Sequence, residues 1–285
     1  MTKHFSTWGT ASEVTGAPAR FLRRPLARSA VSVFALLLSA GPVRAETNLP
    51  LRTLLDRVGQ QVEKFWNYFP AVTCTEQVSQ AKLNAKGKAL LEQRAAYDYL
   101  ILLQSAGTRL SVEESRVLKR HQDPKGKASL LLTNGFSILT LIFHPMYQSS
   151  YEFSVLPDEV LGGRKAHRIA FRHLGQNRSP SVLVVHQREY PLEWKGIAWI
   201  DPDSYAIMRI EAGLATSMED MGLLQLNAEV NYAAMHFSGV SSDYWLPTRA
   251  VIEALTKRQH WRNIHLFTDY RRFNVETEVR TGTPQ

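Results

Sequence analysis

"KGIAWIDPDSYAIMRIEA", Lys195 to Ala212, decides how this chain is read. Two apolar runs flank an Asp-Pro-Asp-Ser corner at residues 201–204. Pro202 presets a turn φ angle, and Asp and Ser side chains cap nearby backbone groups. The stretch therefore reads as two strands joined by a tight hairpin with a solvent-facing tip. The rival reading is a working pair of carboxylates, Asp201 and Asp203. Such pairs do acid–base chemistry when their surroundings drive their pKa values apart, and they hold calcium when further acids and a central glycine follow. The residues after Asp203 supply neither, so the corner is read as a turn.

Outward from that hairpin the apolar residues keep a period of two. In Leu223–Tyr232, Leu224, Leu226, Ala228, Val230 and Tyr232 point one way, and Gln225, Asn227, Glu229 and Asn231 the other. One face is buried and one is wet, the pattern of an antiparallel sheet. Similar runs at Val72–Leu83, Leu90–Gln104, Arg109–Arg120, Gly162–Gly175, Ser181–Gln187, Trp245–Leu255 and Trp261–Val275 are expected as strands. Turn-rich clusters separate them closely, so hairpins connect them rather than helical crossovers.

Two stretches depart from that period. Leu51, Leu54, Leu55, Val58, Val62, Phe65, Trp66 and Phe69 follow helical spacing, which predicts an amphipathic helix stopped by Pro70. Between Lys127 and Glu152 there is no Asp, Glu, Lys or Arg. Its apolar centre, Phe136–Phe143, is too short for a membrane span, which needs about 20 residues. Helical turns lying over an apolar sheet face are expected there.

The N-terminus carries a different message. Arg20, Arg23, Arg24 and Arg28 precede an apolar run at Val31–Ala40, and Val43 and Ala45 are small residues at cleavage positions. This is the order of a secretory signal peptide, so residues 1–45 are expected to be removed near Ala45 and residues 46–285 to form a single exported domain, periplasmic or secreted. Of the 34 basic and 26 acidic residues, six and one fall in the leader, which leaves 28 against 25 and a net charge of +3. A nucleic-acid footprint needs a stronger basic excess. One cysteine, Cys74, excludes an internal disulfide; without a neighbouring base it reads as a small buried hydrophobe.

Signatures of catalysis are missing. The nine histidines show no His-Glu-x-x-His spacing, and there is neither a Gly-x-Ser-x-Gly elbow nor a phosphate-binding glycine loop. His167 and His173 share a strand face but sit about 20 Å apart in an extended chain, too far to share a metal, and read as rim histidines. Ser79-Gln-Ala-Lys82 has the Ser-x-x-Lys spacing but falls in an expected strand. No catalytic residue, metal or cofactor is assigned.

Three stretches carry a resemblance: the hairpin Gly-x-x-Trp-Ile-Asp-Pro-x-Ser-x-x-Ile-x-Arg-Ile (Gly196–Ile210), "VLGGRKAHRIAF" (Val160–Phe171) and "TDYRRFNV" (Thr268–Val275). Over residues 49–277 the chain resembles exported bacterial proteins of the lipoprotein-localisation (LolA-like) fold, to which the N-terminal domain of RseB/MucB is also similar. "AVTCTEQV" (Ala71–Val78) is similar to members with a Cys near the first strand. The resemblance implies an α+β fold: a curved antiparallel sheet, an incompletely closed barrel, with helices packed on its concave side. It implies a non-catalytic protein that takes an acyl chain, lipid or lipidated partner such as a lipoprotein into an apolar cavity under the helices. The lining expected for that cavity is Phe136, Ile138, Leu139, Ile142 and Phe143 from the uncharged run, with Trp199, Met208, Leu224, Leu226 and Val230 from the sheet; each is equally at home in an ordinary core. Two rivals stand beside it. One is an envelope protein-interaction or stress-sensor module that meets its partner through a sheet edge or through Trp245, Trp261 and Tyr270. The other is a hydrolase with an unrecognised site, which requires convergent His and carboxylate groups in a pocket.

Overall fold

The computed structural model describes residues 49–106, 109–119, 136–185 and 188–273. The expected leader and the first part of the uncharged run lie outside them. Helix α1 (Leu51–Tyr68) begins after Pro50 and gives way to a single 3-10 turn, Phe69–Ala71. Pro70 has no amide to extend the helix. Leu54, Val58, Val62, Phe65 and Trp66 form its buried stripe, as their spacing predicts.

Strands β1 (Val72–Leu83), β2 (Ala89–Ala106) and β3 (Arg109–Leu118) follow as a meander. Next come a 3-10 segment, Phe136–Phe143, and a one-turn helix, α2 (Pro145–Gln148). The chain continues through β4 (Tyr151–Leu161) and β5 (Arg164–His173), then a separate two-stranded ribbon of β6 (Val182–Val185) and β7 (Arg188–Pro191). It finishes with β8 (Trp194–Ile200), β9 (Ile207–Leu214), β10 (Leu223–Met235), β11 (Tyr244–Thr256) and β12 (His260–Arg272). Ten strands make one antiparallel sheet in the order β3-β2-β1-β12-β11-β10-β9-β8-β5-β4. The sheet is curved and not closed into a barrel, and the helical segments lie against its concave face.

The order contains the key constraint. β3 and β4 follow one another in the chain, yet they are opposite edges of the sheet. The connection between them has to cross from one edge to the other. Its described part, Phe136–Gln148, does so over the concave face, where Phe136, Leu139, Leu141, Ile142 and Phe143 join one buried cluster with α1 and the sheet. Each is at most 3% exposed, and full burial of such a side chain is worth about 1.5–3 kcal/mol. Phe136–Phe143 carries no charge because it fills the core. Among the described residues no helix is long and apolar enough to cross a membrane.

Three side-chain bonds tie this crossing segment down. Trp66 Nε1 donates to Thr140 Oγ1 at 3.1 Å. Gln148 Nε2 donates to the carbonyls of Leu55 at 3.0 Å and Phe143 at 2.8 Å. Gly59 on α1 makes the close approach feasible, since a Cβ there would meet Gln148 Nε2 at 2.9 Å.

Two strands lack the sequence signature of the others. The burial of β4 does not alternate regularly, because it is an edge strand with Pro157 at its middle and a bulge between Leu156 and Glu159. The second strand of the ribbon, Arg188–Pro191, is only four residues long.

Gly196 marks the sharpest inter-strand approach. A Cβ at that position would lie 1.9 Å from the Glu211 carbonyl oxygen and 2.7 Å from the Phe171 ring. Gly196→Ala is expected to destabilise the fold by about 1–3 kcal/mol through overpacking, read as a lower urea midpoint with an unchanged m value.

Candidate functional site

At one end of the concave face α1 stands away from the strand ends and leaves a cleft of about 640 Å³. Its inner wall includes Val62, Phe65, Ile207, Tyr232 and Trp245, and its outer rim Lys64, Arg164, Asp203 and Asp243. The size is that of a small-molecule site, and an apolar floor under a polar rim suits an amphiphile.

The strand ends explain why the cleft holds its shape. β11 is paired with β12 only from Arg249 onward, so the backbone of Trp245 has no strand partner on that side. Tyr68 supplies one. Its hydroxyl donates to the Trp245 carbonyl at 3.2 Å and accepts from the Trp245 amide at 2.9 Å, and its ring stacks on Tyr244 at 4.0 Å. Burial pushes the Tyr68 phenol up, out of the titrating range. Tyr270 completes the same edge, donating to the Pro247 carbonyl at 2.7 Å.

The Asp-Pro-Asp-Ser corner forms one lip of the cleft. Only half of it is the solvent-facing tip expected from the sequence. Asp203 is exposed, but Asp201 is 1% exposed. The Asp201 carboxylate accepts from Arg164 at 3.0 Å and from Ser204 Oγ at 3.1 Å. Both its charge and its lone pairs are engaged in holding the turn, so this acid is a brace.

The ten residues expected to line a cavity fall elsewhere. Phe136, Leu139, Ile142, Phe143 and Val230 are buried in the main cluster, and Ile138 and Leu226 pack against it half-buried. Leu224 is half-buried. Trp199 and Met208 belong to a second cluster with Ala166. A bulge between Trp199 and Ile200 pairs Trp199 with Arg209 and Ile200 with Ile207, so Met208 is the extra residue and turns to the Trp199 side. None of the ten lines the cleft. Of the aromatics considered as a partner surface, Trp245 packs against both clusters and Tyr270 against the main one, while Trp261 is half-buried with Lys82 over its ring at 5.7 Å.

The sequence also gave no sign of a buried ionic cluster at the other end of the concave face. Glu76 on β1 accepts from Arg116 on β3, Nε at 2.5 Å and Nη2 at 2.9 Å, and from His265 Nδ1 on β12 at 2.7 Å. Glu114 lies 2.9 Å from Arg116 Nη1. Phe136 roofs the cluster, its ring 5.5 Å from His265. Burial pushes the Glu76 carboxyl up, but the bonds from His265 and Arg116 outweigh it and the net shift is downward. His265 was one of nine scattered histidines, and its partner is 189 residues away; no local spacing reveals such a pair. His173, read as a rim residue, is buried. Cys74 is buried beside this cluster, and burial pushes its thiol up to about 12. Among the described residues no group of three His, Cys, Asp or Glu side chains is placed to hold a metal ion.

No protein-family model matches the sequence, and neither does any curated protein. Among solved structures the chain is similar to a domain from Vibrio parahaemolyticus described as outer-membrane lipoprotein-sorting, at 14% identity and TM-score 0.42 over 79% of this chain and 94% of that one. It is similar to a LolA superfamily protein from Nitrosomonas europaea, at 10% identity and TM-score 0.36 over 80% and 96%. It is also similar to a DUF1329 family protein from Desulfovibrio piger, at 10% identity and TM-score 0.41 over 80% and 95%.

Two outcomes are expected from the buried cluster. The lowered Glu76 value makes a contribution to stability that is complete above its ordinary value of 4.5 and lost as pH falls through the folded-state value. Glu76→Gln should therefore flatten the acid limb of stability against pH, and cost about 3–5 kcal/mol at neutral pH by leaving Arg116 under-compensated; urea titrations across pH read both. Native Cys74 should resist thiol reagents at neutral pH and react only once the chain is unfolded.

Proposed function

We propose that this is an exported, non-catalytic binding protein that receives an acyl chain, from a lipid or a lipidated partner, in the cleft between α1 and the ends of β8–β11. In this reading residues 1–45 are a removable leader and the remainder is one domain working in the periplasm or beyond.

The observation that carries the reading is the division of the concave face. Its centre is filled by the protein's own Phe136–Phe143 segment, while its end is open, with Val62, Phe65, Ile207, Tyr232 and Trp245 beneath a charged rim. Buried apolar area supplies affinity and the rim keeps the mouth wet. The ligand-facing set is thus the cleft residues, and Phe136, Leu139, Ile142, Phe143 and Val230 serve as the wall behind them. The interaction-module reading draws less support. Trp245 and Tyr270 are packed, and the β4 edge carries Pro157 and a bulge, devices that discourage strand addition.

Native mass spectrometry of gently purified protein should show a co-purified lipid mass, and a fluorescent acyl amide should bind saturably. Ala234 is exposed and lines the cleft, so Ala234→Trp should fill it and weaken probe binding about tenfold or more, at least 1.4 kcal/mol, with stability retained. A wild-type protein that carries no lipid and takes up no probe would rule the reading out.

A further inference from the structure

We propose that two copies of this chain pair weakly along the uncovered edge of β2, around a two-fold axis at Gln93, with each Glu92 set against the partner's Arg94. The inference goes beyond the acyl-binding reading and does not depend on it.

β2 has 18 residues, and its outer neighbour covers only part of them. Among the described residues β3 runs beside β2 from Ala106 to Tyr97, and one further bond, from the Lys119 amide to the Ala96 carbonyl at 3.0 Å, ends that ladder. On its inner side β2 stays paired with β1 without a break from Leu100 to Leu91. Leu91–Ala95 is therefore regular strand with, among the described residues, no neighbour on its outer side. The β4 edge of the sheet is blunted by Pro157 and a bulge. Leu91–Ala95 contains no proline, and the bulge of β2, at Leu90, lies beyond it. Leu90 is 65% exposed and Leu91 48%.

The backbone fixes the phase of any strand added here. In an antiparallel ladder the amide and carbonyl of one residue point to the same side, and the side alternates along the strand. The Ala96 carbonyl points outward, to Lys119. Arg94 and Glu92 share its phase and present their backbone groups outward, while those of Ala95, Gln93 and Leu91 face β1. A second β2 laid antiparallel must match outward residues with outward residues, so a slip of one residue is excluded. Of the in-phase registers, a slip of two residues in either direction sets Glu92 against Glu92 or Arg94 against Arg94, and like charges directly opposite repel. The register centred on Gln93 sets Glu92 opposite the partner's Arg94 on both sides of the axis. Glu92 already accepts from Arg94 Nε of its own strand at 2.8 Å and from Ser79 Oγ at 3.0 Å, and the Arg94 side chain is 79% exposed. Pairing joins two such couples into a ring of alternating charge. On the other face Leu91 covers the partner's Ala95, and Gln93 meets its own copy. A strand pairing this short buries less than about 1,000 Å², the mark of a weak, reversible association.

Sedimentation equilibrium of the purified protein between about 5 and 500 µM should show a monomer passing into a dimer, the range a weak interface requires. Glu92→Arg alone and Arg94→Glu alone should each weaken dimerisation about tenfold or more, with the far-UV spectrum and urea midpoint retained because both side chains are at the surface. Mixing the two variants, or combining both changes in one chain, should restore the dimer, since opposite charges then face each other again. Gln93 lies on the axis as a non-hydrogen-bonded pair, with Cα atoms about 4.5 Å apart. Gln93→Cys treated with oxidised glutathione should therefore cross-link to its own copy, while buried Cys74 stays reduced. A wild-type protein that remains monomeric throughout, leaving the edge to water or to another protein's strand, would overturn the proposal. So would a dimer that neither single charge reversal weakens.

Discussion

A sheet whose consecutive strands β3 and β4 form its two opposite edges must send its own chain across its concave face. Everything else in the molecule accommodates that crossing. The crossing segment has to be apolar, since it lies between α1 and the sheet, and Phe136–Phe143 has no charge. It has to be short and stiff, and a 3-10 segment rises more per residue than an α-helix does. It has to be fastened, and Gln148, Thr140 and Trp66 fasten it to α1. Among the described residues, the cleft at the strand ends beside the C-terminal half of α1 is met by the crossing segment only at Thr140. The position of the cleft follows from the connectivity of the sheet.

Two buried carboxylates show how the fold handles charge. Asp201 is neutralised locally, by Arg164 and by the turn that it braces. Glu76 is neutralised by residues on β3 and β12, the strands on either side of the β1–β2 pair. A buried ion pair adds little net stability over a well-packed apolar replacement, yet breaking one is expensive. Its effect here is on register. A one-residue slip of β1 against β12 would turn Glu76 to the convex face and leave Arg116 and His265 facing the apolar roof of Phe136.

Much of the architecture was legible in the residues. Period-two runs located β1 and β10 to within a few residues, because each has one dry and one wet face. The stripe from Leu51 to Phe69 marks α1, and the apolar centre of the uncharged run, Phe136–Phe143, marks the covering segment. The failures have physical causes. β4 is an edge with an interrupted ladder, so its side chains do not alternate in burial. Trp199 lies on the face opposite Ala198 and Ile200 by ordinary alternation, and Met208 joins it there through a bulge, which reverses a residue's face without leaving a trace in composition. The cleft was invisible for another reason. It is assembled from α1, the Asp201 corner, β10 and the start of β11, and none of these stretches is distinctive alone.

The pairing of β1 with β12, Val72 opposite Arg272, governs the timing of folding. β1 meets β2 as soon as that hairpin is made, but it cannot meet β12, its other neighbour, until roughly 190 further residues have been synthesised, and closing so long a loop is slow. A polypeptide built this way stays threadable while it is being made. For any chain that must pass a narrow channel before it folds, such late pairing delays completion of the sheet until passage is over, without needing a separate device to hold it open.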